Sequence, residues 1–461
     1  MGRNSQQRRQ QQQRRAQQRD RAAFSRRTAG ADPSMADPAR LVDIACAVAL
    51  GPGADGRHFE AALALLEELE SAAGPGERPS ALLHDRITRA LDAVLEGGWE
   101  PADVVHATRR AFTQRLGRLA AQYVAAHARQ HQAVHRAPPR WLEQLAELGV
   151  LDPTDGRLTG GHADVLARWA KAERLHPADS LGGAVQFLAV LRTAGRLNPL
   201  LPPPSRWVAS NAGNAYGQAP GGAGTTGEID AKALRTIRAL LAKAEATTFE
   251  AEADAFTAKA QELMARHSID AAVLAAAAVG DGGRLSRGTE ARRIHIDDPY
   301  ADEKVGLLAA IGHVNSVTCV WASAAGFATV VGFPVDLQLT EVLFTSLLVQ
   351  ATHASSHATA HDARLRTASF RRAFLVAFAE RVAERLEAAT RHAAETAEAE
   401  YGSSLVPVLQ HRQAAVQAAV EELFPDTVPM RSRRLDAAGY HAGRTAGDRA
   451  DLGAGKPLPT G

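Results

Sequence analysis

A chain of 461 residues is too long for one ordinary core and should hold two or three domains of about 100 to 200 residues each. It is 45% hydrophobic but only 5% aromatic, so alanine and leucine supply most of its apolar surface and favour helices over sheets. Two distant cysteines, Cys46 and Cys319, exclude a disulfide framework and a thiolate zinc site. No apolar run reaches the roughly 18 to 20 residues a spanning helix needs, so a cytoplasmic chain without a membrane partner is expected.

The net charge of +2 is unevenly spread. Residues 1 to 27 carry nine arginines against one acid, Asp20, for a charge of +8, which leaves the rest of the chain at −6. The tail over 1–37 is rich in glutamine and arginine with little to bury, and should be disordered. Arg8, Arg9, Arg14, Arg15, Arg26 and Arg27 are its candidate nucleic-acid contacts, because release of counterions from phosphates needs charge but no fixed shape. A solubilising tail is the alternative.

Residues 38–197 form a predicted all-helical domain. ARLVDIACAVAL, HFEAALALLEELE, LLHDRITRALDAVLEGG, ADVVHATRRAFTQRLGRLAAQYVAAHARQ, HADVLARWAKAER and LGGAVQFLAVLRTAG all space their apolar residues by three and four. GPGADG at 51–56 matches GxGxxG but follows a helical pattern and contains proline, so no dinucleotide or other cofactor is expected. His127, His131 and His135 share one helical spacing, which a histidine-rich composition explains without a ligand.

Prolines and glycines over 198–227 predict a flexible linker. A helical hairpin follows over 228–275. Its first helix, Ile229 to Ala246, gathers Leu234, Ile237, Leu240 and Leu241 on one arc; Thr247 and Glu250 make a capping box. Its second helix, Thr248 to His267, gathers Phe249, Ala253, Phe256, Ala260, Leu263 and Met264, and His267 is placed to cap its C-terminal end.

IRALLAKAEATTFEAEADAFTAKAQELMARHSID closely resembles the helical module called domain of unknown function 2786, found in bacterial and phage proteins. Leu241, Lys243, Ala244, Glu245, Glu250, Glu252, Ala253, Lys259, Ala260, Leu263, Met264 and His267 carry the likeness. The following DDPYADEKVGLLAAIG, SFRRAFLVAFAERVAERL and GYHAGRTAG resemble that module's usual companion, domain of unknown function 7168. The resemblance implies no catalytic residue.

Residues 292–452 are expected to form an α+β domain, and 453–461 a disordered tail. Arg293 to Ile296 reads as a strand, Val317 to Ala322 and Ala328 to Phe333 as a hairpin, and Asp336 as the start of a long helix, with further helices over 369–398 and 408–424. Gly439, Gly443 and Gly447 would make a bare strip on a helix that admits close backbone approach. His295, Asp297, Asp336, Arg371 and Arg372 are the candidates for a shared cleft, with base, carboxylate and anion-binding chemistry between them. No metal site is assigned. The alternative set is His353, His357 and His361, whose small polar neighbours point to a solvated helix face.

The first functional reading is a non-catalytic macromolecule-binding protein that meets nucleic acid through its arginine tail. A protein–protein interaction scaffold and a metal-dependent hydrolase using a histidine cluster are the alternatives. The sequence leaves the oligomeric state and the partner open.

Overall fold

The computed structural model describes residues 37–49, 56–74, 78–160, 164–208, 231–246, 263–272, 288–360, 365–401, 405–428 and 436–449. The arginine tail, Thr247, Glu250, Phe249, Ala253, Phe256, Ala260 and His361 lie outside them. The described residues are mainly helical, with one small antiparallel sheet, as the composition implies. Among them no helix is long and apolar enough to cross a membrane. The chain divides into two compact units, Met1–Ala219 and Pro220–Gly461.

The first unit contains α1 (Pro38–Ala49), α2 (Gly56–Ala72), α3 (Pro79–Glu96), α4 (Pro101–Ala111), α5 (Gln114–Gln130), the short α6 (Ala133–Arg136), α7 (Pro139–Glu147), α8 (Val165–Ala172) and α9 (Pro177–Thr193). From Ser180 to Leu191 only Gln186 of α9 is not buried, and α9 packs against α1, α2 and α3 as the central rod. Pro79, Pro101, Pro139 and Pro177 each begin a helix, where a missing N–H costs nothing.

Two readings change here. The continuous helical pattern over 102–130 is broken at Phe112, which leaves helical geometry; Thr113 then accepts a hydrogen bond from Leu116 N at 3.3 Å and caps α5. Residues 198–208, expected as flexible linker, are fastened to the helices. Leu197 N donates to Gly97 O, Ser205 donates twice to the Glu96 carboxylate at 2.7 Å, and Trp207 is buried edge-on to Trp141 with 5.0 Å between ring centroids.

The second unit contains α10 (Ala231–Ala246), a helical stretch over 263–272, β1 (Glu290–His295), α11 (Ala301–Val314), β2 (Thr318–Ala322), β3 (Phe327–Gly332), α12 (Pro334–Ala358), α13 (Ala368–Tyr401), α14 (Leu405–Leu423) and α15 (Ala437–Arg449). The sheet order is β1-β3-β2, both pairs antiparallel. All six residues of β3 are buried because the strand is covered on both faces. Ala328 and Val330 face the core built with α11, α12 and α13; Val331, together with Phe333 beyond the strand, faces Ala415, Val416 and Val420 of α14.

The stretch expected as a hairpin seats on α12. Ile237 and Met264 are buried against Val335 and Leu339, with Leu240 and Leu263 beside them, while Arg235 and Lys243 face water. The helix carrying Met264 runs on through Ala272, so His267 lies inside it and not in a last turn, which removes the expected cap. The overrun matters because it carries Ser268 and Ile269 into contact with the following elements.

Candidate functional site

Of the five cleft candidates, His295 and Asp336 stand apart. His295 ends β1 and pairs in register with Phe327, whose ring it meets edge-on with 6.1 Å between centroids. Asp336 follows the other end of β3, where Gly332 pairs with Glu290. The length of the sheet therefore separates His295 from Asp336. Asp297 is exposed, and its backbone carbonyl accepts from Lys304 Nζ at 2.7 Å. Arg371 is exposed at the start of α13; Arg372 Nε stands 3.7 Å from the Glu303 carboxylate of α11, the pairing with a neighbouring helix that its position on α13 suggests.

Asp336 instead forms a buried polar knot. It occupies the first turn of α12, where the helix dipole favours an acid, and only 1% of it is exposed. Arg412 Nη2 from α14 donates to Asp336 Oδ2 at 2.7 Å, and Ser268 Oγ donates to Oδ1 at 2.6 Å. Arg412 Nη1 also donates to Ser268 O at 3.1 Å, and its guanidinium lies 4.1 Å from the Phe333 ring centroid. Burial pushes the Asp336 carboxyl upward, and Arg412 and Ser268 oppose that push. With both carboxylate oxygens and the guanidinium so engaged, the knot holds three segments together and leaves little capacity for a substrate. The sequence pointed to Asp336 but not to Arg412, whose apolar environment depends on the distant Phe333.

His353 and His357 lie on an exposed face of α12, so the two described members of that stripe present a solvated surface. The other histidine spacing is different. His127 of α5 and His131, the residue that caps its C-terminal end, stack with 4.2 Å between ring centroids, and each Nε2 lies 3.2 Å from Asp92 Oδ1 of α3. Asp92, His127 and His131 each offer one ligand atom, all within 4.8 Å of one another. His135 belongs to α6 and is outside this group.

Burial exposes only 3% of the His127 side chain, whereas His131 is 27% and Asp92 47% exposed. Burial, and then the neighbouring His131, hold the His127 imidazole down to about 4, so it is neutral at pH 7. His84 Nδ1 and Tyr123 Oη meet at 3.3 Å earlier along the same two helices. Sequence spacing identified the two histidines; the carboxylate that joins them, 35 residues away, carried no local signal.

No match is found among curated proteins or among solved structures. Residues 232–271, which carry Ile237, Met264 and Ser268 onto α12 and Asp336, match the model of the family described as Protein of unknown function (DUF2786).

Proposed function

We propose that this is a non-catalytic binding protein that associates with nucleic acid through its N-terminal arginines, from a cytoplasmic setting. The observation that carries this reading is the charge division: +8 over residues 1 to 27, against −6 over the rest of the chain. A tail of that density meets a phosphate backbone without a fixed fold, and an acidic body does not compete for the same polyanion. The body supports the non-catalytic part. Asp336 and Arg412 satisfy one another, and His295 stands at the opposite end of the sheet from Asp336.

Binding of the full chain to random-sequence duplex DNA tests it. Affinity should fall with salt at a log–log slope of about −0.9 for each phosphate neutralised, and removal of residues 1–27 should abolish most of it. Equal affinity of the truncated chain at low salt would remove the proposal. Co-purification of a protein that survives both high salt and nuclease would favour a scaffold instead.

A further inference from the structure

We propose that Asp92, His127 and His131 form a binding site for one divalent first-row transition-metal ion of the zinc type, stapling α3 to α5. Two imidazole nitrogens and one carboxylate oxygen are borderline donors that suit zinc, cobalt or nickel and suit magnesium or calcium poorly. Zinc–ligand bonds of about 2.0 to 2.1 Å place neighbouring donors of a tetrahedron about 3.4 Å apart. Both His Nε2 atoms already stand 3.2 Å from the same Asp92 oxygen.

The two Nε2 atoms lie within 4.8 Å of each other; His127 Nε2 hydrogen-bonds Asp92 Oδ1, and His131 Nε2 stands at the same distance from it on a stacked ring. Imidazole binds an ion along a direction in its ring plane, so the stacked rings tilt apart as each nitrogen moves by less than about 0.7 Å to a tetrahedral edge. One i,i+4 pair at the C-terminal end of α5 and one acid on α3 is an arrangement in which a single ion joins two elements that also meet through His84 and Tyr123. Glu96, one turn beyond Asp92, adds negative charge to the same region while its own oxygens are held by Ser205. Burial closes the site on the His127 side; Asp92 and His131 reach solvent, which gives an ion an entry path and a fourth position for water.

The test uses the tag-free full chain, stripped with chelator and titrated with Zn2+ and with Co2+ in excess Mg2+. One equivalent should bind, Co2+ should develop the visible absorption of a low-symmetry site, and Zn2+ should raise the thermal midpoint. His131→Ala and Asp92→Asn, both at partly exposed positions, should each weaken Zn2+ by more than about tenfold and remove the thermal shift while keeping helical circular dichroism. The double substitution His353→Ala, His357→Ala should leave affinity unchanged. Failure of the wild-type chain to take up either ion, or uptake that neither Asp92→Asn nor His131→Ala alters, would overturn the assignment.

Discussion

Gly443 of α15 lies directly on the backbone of Phe374 in α13: a methyl group at position 443 would come within 2.8 Å of the Phe374 Cα and 2.9 Å of the Ala377 Cβ. Gly439 meets Phe370 and Ala373 in the same way one turn earlier. The occupant of the glycine strip is therefore the chain's own helix, and the phenylalanines at 370, 374 and 378 are buried beneath it. Gly443→Ala should destabilise the protein by about 1 to 3 kcal/mol, even though alanine gains about 1 kcal/mol of helix propensity over glycine. Gly306 in α11 is the counter-case. A methyl there meets nothing within 4 Å, so Gly306→Ala should stabilise by about 0.5 to 1 kcal/mol. Opposite signs in urea melts of the two variants are the expected result; a stabilised Gly443→Ala protein would mean that the helices do not touch.

Asp336 and Arg412 make a second, asymmetric prediction. Arg412→Met leaves a buried carboxylate with only Ser268 for a partner and should cost about 3 to 5 kcal/mol. Adding Asp336→Leu should recover much of that loss, because two apolar groups of similar bulk leave no charge stranded. A double-mutant cycle by denaturant unfolding reads the coupling; additive losses would show that the pair does not interact.

The contrast between these two contacts explains what could be read from sequence. Phe370, Phe374, Phe378 and the three glycines each declare a helical face by their own spacing, so both faces could be anticipated from periodicity, but not that they meet. Asp336 pairs with a residue 76 positions away and Asp92 with one 35 positions away, and nothing local to either residue encodes the partner. The β3 strand was legible because Phe327, Thr329, Val330 and Val331 are β-branched or aromatic and follow turn residues. The break at Phe112 was not: Thr113 is an ordinary member of an apolar helical pattern until its hydroxyl is seen to cap the next helix.

The cysteines should be chemically quiet in the folded chain. Burial pushes the Cys46 thiol up to about 11 and the Cys319 thiol up to about 12, so the reactive thiolate is scarce at pH 8. Cys46 Sγ also donates to Val185 O at 3.7 Å. Labelling with a thiol reagent at pH 8 should be slow for both and should accelerate strongly in denaturant. Fast native labelling of Cys46 would place α1 away from α9.

Glu384 supplies a test of the α13–α15 seam by acid. Its carboxylate accepts from Arg444 Nη1 at 2.9 Å and Nη2 at 3.0 Å, and from Arg381 Nη1 at 2.5 Å. The hydrogen bonds from Arg444, and next those from Arg381, hold it down to about 2, from an ordinary value of 4.5. The folded value is below the unfolded one, so the stabilisation is fully present above pH 4.5 and is lost as pH falls through about 2. The side chain is 46% exposed, so solvent screening limits the contribution to about 1 kcal/mol or less. Glu384→Gln should therefore melt slightly below the wild type at pH 7, and the gap should close as the pH is lowered toward 2. Molar salt at pH 7 should also narrow it, because the pair is exposed enough to be screened. A gap that persists undiminished at pH 2 would assign the loss to packing of the side chain and not to its charge.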